Sequence, residues 1–264
     1  FGNHEQSHMG QNYLKCLFTH IIYGIDDGSK SKEMTLEMLK LSIECGVKKI
    51  VATPHYMKGR FNVEYSEVKD KVNELRQMVS EETLDIEIYC GQEVYYRENI
   101  LDYYEEGAIG TINDSRYMLI ELPMMEFDVN SVIDNLYELT LKGIIPIIAH
   151  PERYIPFIKN PSLINDFIKE GYLFQLNTGS VIGDFGKDVK RLALNYLENN
   201  LYSVVGSDAH SNVNRNTDIS EAISGVLRDY KCEFGKNGQL VLEDKEIVRK
   251  SALIKERKKL FGIF

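Results

Sequence analysis

Cysteine is scarce in this sequence, at four residues in 264, and Cys16, Cys45, Cys90 and Cys232 are far apart with no C-x-x-C pair. That pattern speaks against a disulfide framework and for reduced thiols in a cytoplasmic protein. No apolar run approaches the roughly 20 residues that span a bilayer. Residues 1–16 are polar and lack the apolar core of a signal peptide. Direct membrane insertion and export are therefore disfavoured, while docking onto a membrane-bound partner stays compatible. Positive charge is also in deficit, with a net charge of −9 and a pI of about 5.3. A general binder of nucleic acid or of membrane surfaces is disfavoured on that ground. The local exception is the stretch 249–259, with six basic residues and one acid, which reads as a solvated helix end. Internal repeats and low-complexity segments are lacking.

What the chain does have is alternation. Residues 1–16, rich in Gly, Asn, Gln and His, read as an atypical leader outside the fold, with one domain over 17–264. Strand-like runs fall at 17–23, 47–53, 84–90, 117–122, 144–149, 172–176 and 201–205. Helical spacing falls between them, as in Met34, Met38, Leu41 and Cys45, which Gly46 stops, and in Val68, Val72, Leu75 and Val79. Ser29 or Ser31 is available to cap the first of these helices. Further helices are expected at 100–106, 132–141, 162–169 and 187–197, with two more, at 219–230 and 245–256, closing the chain. Seven strands alternating with helices, with no linker, predict parallel βα units in a single α/β domain. A closed or nearly closed TIM-like barrel fits best, because polar residues collect at the C-terminal ends of several strands.

Six apolar runs stop at metal-capable side chains, and the clearest is Ile147-Ile148-Ala149-His150-Pro151-Glu152-Arg153. Of six histidines, His4 and His8 lie in the leader, while His20, His55, His150 and His210 all sit in or just after strand-like runs. A lone strand-end histidine is usually a satisfied polar cap. Four in equivalent positions, joined by Asp27, Glu93, Glu121 and Asp208, point to metal. Histidine with carboxylate suits Zn²⁺, Mn²⁺ or Fe²⁺ better than Ca²⁺ or Mg²⁺. About eight ligands exceed the needs of one ion and match two or three. Closely spaced ions suit phosphoester hydrolysis by an activated water. Arg153 and Arg215 follow ligand candidates closely and are placed to hold a phosphate. A thiolate nucleophile is disfavoured, since no Cys-x₅-Arg arrangement is present.

These motifs resemble the PHP (polymerase and histidinol phosphatase) superfamily. Within it, Asp26-Asp27-Gly28, Ala52-Thr53-Pro54-His55, Gly91-Gln92-Glu93, Ile120-Glu121, Ala149-His150-Pro151-Glu152-Arg153 and Ser207-Asp208-Ala209-His210 are similar to the bacterial manganese-dependent protein-tyrosine phosphatases of capsule and exopolysaccharide systems. The likeness runs through the closing Lys259-Leu260-Phe261-Gly262-Ile263-Phe264. It implies a distorted (β/α)₇ barrel with up to three divalent ions, Mn²⁺ by preference. The first site would take His20, Glu93 and Asp208. The second would take Glu93, Glu121 and His150, with Glu93 as the bridge. The third would take Asp27, His55 and His210. Arg153 and Arg215 would hold the phosphate. The implied substrate is the phosphotyrosine tail of a partner tyrosine kinase, and the loop 56–61 is placed to read the aromatic ring or an acidic tail. The resemblance leaves homo-oligomerisation open.

The family opens with Asp-x-His-x-His, where this chain has Cys16-Leu17-Phe18-Thr19-His20. Phe18 replaces a ligand histidine, so the first site drops to three protein ligands. Two alternatives stand beside the phosphotyrosine reading: a small-molecule phosphatase such as a histidinol phosphatase on the same barrel, and, because of Phe18, a catalytically impaired protein that binds the kinase tail.

Overall fold

The period-2 alternation of the strands decides which residues fill the interior and which face the helices. In the computed structural model, residues 16–211, 217–230 and 232–255 are described. β1 (Cys16–Thr19) pairs with β2 (Lys49–Ala52), and β2 pairs with β4 (Glu87–Cys90). Two strands are broken part-way. β3 (His55–Tyr56) resumes β2 after Thr53 and Pro54, and β5 (Glu93–Tyr95) resumes β4 after Gly91 and Gln92. Pro54 has no N–H to give a ladder, a physical reason for the first break. β5 pairs with β3 on one side and with β6 (Tyr117–Glu121) on the other. β7 (Ile145–Ala149), β8 (Leu173–Asn177) and β9 (Val204–Gly206) follow in order, and β9 returns to β1. Every pairing is parallel. Counting each broken strand once, the ring closes with seven strands, the distorted (β/α)₇ barrel that the family resemblance implies.

Helices α1 (Lys32–Glu44), α2 (Tyr65–Glu81), α3 (Ile100–Glu105), α4 (Val129–Leu141), α5 (Ile155–Lys159), α6 (Ile164–Lys169), α7 (Thr178–Ile182) and α8 (Lys187–Glu198) occupy the connections. Ser31, not Ser29, caps α1: its Oγ accepts from the Met34 amide at 3.2 Å. The larger core cluster lies between sheet and helices, with Leu17, Ile50, Met118, Ile120, Ile148, Phe174 and Val205. The smaller one fills the barrel, with Cys16, Phe18, Val51, Tyr117, Leu119, Ile147, Leu173 and Val204. Neighbouring residues of one strand fall in opposite clusters, as alternation requires. Burial contributes roughly 1.5–3 kcal/mol for each large apolar side chain.

The chain end differs from expectation. The segment expected as one helix at 219–230 forms a π-helical turn, Ala222–Val226, and a 3₁₀ turn, Leu227–Asp229. A helix the periodicity did not suggest, α9 (Phe234–Leu242), packs against β1 and β9. Gly238 makes this possible, because a Cβ there would lie 2.6 Å from Cys16 Cβ. The expected helix at 245–256 is irregular over 245–255. Its polar groups bond outward instead: Ala252 N donates to Asn199 O, Ile254 N to Asn165 Oδ1, and Arg249 to Gly171 O. Buried Ile247 and Ile254 anchor this strap. The basic run at 249–259 is therefore not a helix end over its described part, 249–255. β1 begins at Cys16, so that residue, assigned above to the leader, lies in the barrel. Positions 1–15, Arg215 and 256–264 lie outside the described residues.

Candidate functional site

The interior-facing positions change character from one end of the barrel to the other. Phe18, Leu119 and Val204 belong to the apolar interior, while Glu121 ends β6 and His20 and Asp208 lie just past the ends of β1 and β9, two or four residues further along the chain. Alternation aims His20 and Glu121 into the mouth. His150 breaks the pattern. Ile147 and Ala149 face the interior, so an extended residue 150 would point outward. Its φ of +29° re-aims it, and its Nε2 stands 3.1 Å from Glu93 Oε1. Asp208 is also left-handed, with φ of +49°. Such backbone costs about 1–3 kcal/mol per residue.

All eight candidate ligands come together. His20 Nε2 lies 3.4 Å from Glu93 Oε2 and 3.6 Å from Asp208 Oδ1. His150 Nε2 lies 3.1 Å from Glu93 Oε1 and 3.5 Å from Glu121 Oε1. Glu93 thus turns one oxygen toward each histidine. Asp27 Oδ1 lies 3.3 Å from His210 Nε2 and 3.7 Å from His55 Nε2. The groups are contiguous: the His20 ring centroid is 4.4 Å from that of His55 and 4.3 Å from that of His210. His20, His55 and His210 could hold one ion between them, as could His55, Glu93 and Glu121.

The chemistry of these donors fits divalent cations. Asp27 Oδ1, His55 Nδ1 and His150 Nδ1 are buried without a hydrogen-bond partner, which is costly for polar atoms that have no other use. Burial raises Glu121 to about 7, and the nearby Glu93 charge adds to it. Burial works against ionised Glu93 too, but His150 and His20 outweigh it and hold that carboxyl well below its ordinary range. Burial alone would lower His20; Asp26 and Glu93 more than offset it and raise it. His150 is likewise raised, since Glu93 and Glu121 outweigh burial and Arg153. His55 is lowered by burial and by His20. Protons and cations therefore compete for the same atoms.

A cleft of about 600 Å³ opens over this cluster, lined on one wall by Met57, Arg60, Phe61 and Tyr95 and elsewhere by Pro123, Met124, Met125 and Arg153. Arg153 Nη1 donates to Asp208 Oδ2 at 2.5 Å, and its guanidinium lies 4.4 Å from the Phe185 ring centre. Phe61 stacks on His55 at 5.9 Å and 15°. Phe18 is buried in the apolar interior and its carbonyl accepts from Ser207 N at 3.1 Å. Its ring offers no donor atom to the cluster.

The family described as capsular polysaccharide synthesis, CpsB/CapC, matches residues 16–245. The chain belongs to the CpsB/CapC family. The putative tyrosine-protein phosphatase CapC of Staphylococcus aureus is 36% identical over 94% of this chain and 98% of its own length. Tyrosine-protein phosphatase YwqE of Bacillus subtilis is 33% identical over 93% of this chain and 98% of its own. A solved chain from the crystal structures of YwqE from B. subtilis and CpsB from Streptococcus pneumoniae, described as unique metal-dependent tyrosine phosphatases, superposes with a TM-score of 0.84. That match has 30% identity and covers 90% of this chain and 98% of the solved one.

In this CpsB/CapC member, three polar residues without a sequence-assigned role stand behind the cluster. Asn177 Nδ2 donates to Asp208 Oδ2 at 3.0 Å. Fully buried Glu152 accepts from Asn177 N at 3.0 Å and from Tyr202 Oη at 2.9 Å, and burial raises its carboxyl. Asp26 is buried beside His20. The adjacent pair Asp26-Asp27 was the available signal, but nothing in sequence says which carboxylate faces which way.

Proposed function

We propose that this protein is a metal-dependent protein-tyrosine phosphatase acting on a phosphotyrosine-bearing tail of a tyrosine kinase in capsule or exopolysaccharide synthesis. The observation that carries the reading is Glu93, whose two oxygens face His150 at 3.1 Å and His20 at 3.4 Å. A carboxylate shared between two imidazoles suits a bridge between two cations. His20, Glu93 and Asp208 would hold one, Glu93, Glu121 and His150 a second, and Asp27, His55 and His210 a third. Bound divalent ions, Mn²⁺ in this reading, would supply Lewis acidity toward water and phosphate oxygens.

The chain's own groups do the rest. Arg153 is stacked on Phe185 and aimed at the cleft, so its planar fork can engage two phosphate oxygens; Arg215 is assigned the same task. Phe61, Tyr95, Met124 and Met125 give the cleft apolar and aromatic walls suited to an aryl ring. Arg60, beside Phe61, suits an acidic neighbour of the phosphotyrosine. Met57 and Phe61 exchange backbone hydrogen bonds, both at 2.8 Å, which fixes the hairpin carrying these side chains. No described helix is long and apolar enough to cross a membrane.

The test is turnover of a phosphotyrosine peptide against histidinol phosphate, after chelation and with Mn²⁺ restored. Mn²⁺-dependent release of phosphate from the peptide is the expected result. Preference for histidinol phosphate would favour the small-molecule alternative. Tight peptide binding without turnover, repaired by Phe18→His, would identify an impaired binding protein. Metal-independent turnover would sink the reading.

A further inference from the structure

Asp26 carries none of the metal-ligand assignments, yet its carboxylate is completely shielded from solvent. Three donors converge on it from three parts of the chain. Oδ2 lies 2.9 Å from His20 Nδ1, just past the end of β1, and accepts from the His55 backbone N–H at 3.0 Å, at the start of β3. Oδ1 accepts from Gly28 N at 2.8 Å, within its own loop. An ionised carboxylate is acceptor-only on both oxygens and suits three donors at once. Its carboxyl is held well below the ordinary range despite burial, by His20 and the backbone amides of His55 and Gly28.

These contacts reach into two of the proposed cation sites. With Nδ1–H given to Asp26, His20 turns Nε2 toward Glu93 and Asp208, and that nitrogen would be the one to ligate a cation once its proton is displaced. The tether on the His55 amide fixes where that residue enters β3, and its ring faces Asp27, the next residue after Asp26. The loop has no slack. A Cβ on Gly28 would lie 2.5 Å from His20 O and 2.8 Å from Asp26 Oδ1. The hydrogen bonds to this carboxylate come from His20, His55 and Gly28, not from Glu121 or His150.

We infer that Asp26 is a positioning residue that ties the His20 site to the His55–Asp27 site, so that both are set by one buried carboxylate while the Glu121–His150 site is not. This rests on the metal reading above. Direct ligation by Asp26 is disfavoured because both oxygens are already engaged by N–H groups.

The experiment uses the full chain, chelated and then titrated with Mn²⁺ alone, with bound metal counted after gel filtration. Asp26→Asn keeps the shape but turns one acceptor into a donor facing another donor. The expected result is loss of at least about 10-fold in affinity at two sites, with one site retained at wild-type affinity. Adding Glu121→Gln to Asp26→Asn should weaken the retained site. A uniformly lowered melting temperature with unchanged Mn²⁺ stoichiometry and affinity would show a merely structural role and overturn the inference. Should Asp26→Asn fail to fold, nitrogen NMR of the Zn²⁺-loaded wild type decides. His20 carrying its proton on Nδ1 supports the inference; Nδ1 bonded to metal overturns it. Absence of any Mn²⁺ uptake by the wild type overturns the metal reading itself, a result distinct from unchanged uptake by the variant.

Discussion

Glu93 Oε1 stands 3.1 Å from His150 Nε2 although the two residues are 57 apart in sequence, and both side chains are buried. One lies on a resumed strand and the other on a left-handed turn, so two departures from regular barrel geometry meet at the central carboxylate.

Replacing that carboxylate should be the most damaging single change. Glu93→Gln removes the charge shared by two sites. Bound Mn²⁺ should fall by more than one equivalent, and turnover of a phosphotyrosine peptide by more than about 100-fold, beyond the roughly 10–100-fold typical of outer partners. Metal analysis with steady-state kinetics checks both.

Cation uptake should expel protons. His20 and His150 are raised, and Glu121 is raised to about 7, so a cation taking these atoms displaces protons from a site that favours them. Mn²⁺ affinity should therefore strengthen as pH rises from about 6 to about 8. His55 is lowered and contributes little to the proton release. Calorimetry in buffers of different ionisation enthalpy counts the protons; an affinity independent of pH would contradict this assignment.

Phe18→His should act in opposite directions on stability and metal binding. A polar ring in the apolar interior costs about 1–3 kcal/mol without a partner, so the chelated protein should melt earlier. With Mn²⁺ present, the added nitrogen should tighten the His20 site at least about 10-fold. Thermal melts with and without metal read the crossover.

Arg153→Lys keeps the charge but loses the planar fork and its stacking on Phe185. A fall in kcat of about 100-fold is expected, by analogy with loss of one transition-state donor. The Mn²⁺ stoichiometry should stay unchanged. Metal content measured beside kcat separates this effect from a collapsed site.

Much of this architecture was legible because strands and helices announce themselves by period. The expected strand at 117–122 is Tyr117–Glu121, and the expected helix at 187–197 is Lys187–Glu198. The closing helices were not legible. α9 carries Gly235, Asn237 and Gly238, poor helix formers, and exists because a glycine lets it approach Cys16. The segment after Asp244 has helical spacing, but its backbone groups find partners across the barrel base, which no local pattern encodes.

The sequence by itself determined the barrel class and which strands end in histidine or carboxylate, because strand period and strand-end residue type are local properties. It also determined that Phe18 cannot bind a metal, since its side chain has no donor atom. Only the tertiary structure decided the rest. It gave His150 a left-handed backbone against the parity of its strand, and it buried Asp26 behind His20 while Asp27 faces His210 and His55. It also placed Asn177 and Glu152 behind Asp208. The physical reason is the same in each case: these roles are set by which donors and acceptors meet across strands far apart in sequence, and close packing in three dimensions leaves each buried polar atom few partners to choose from.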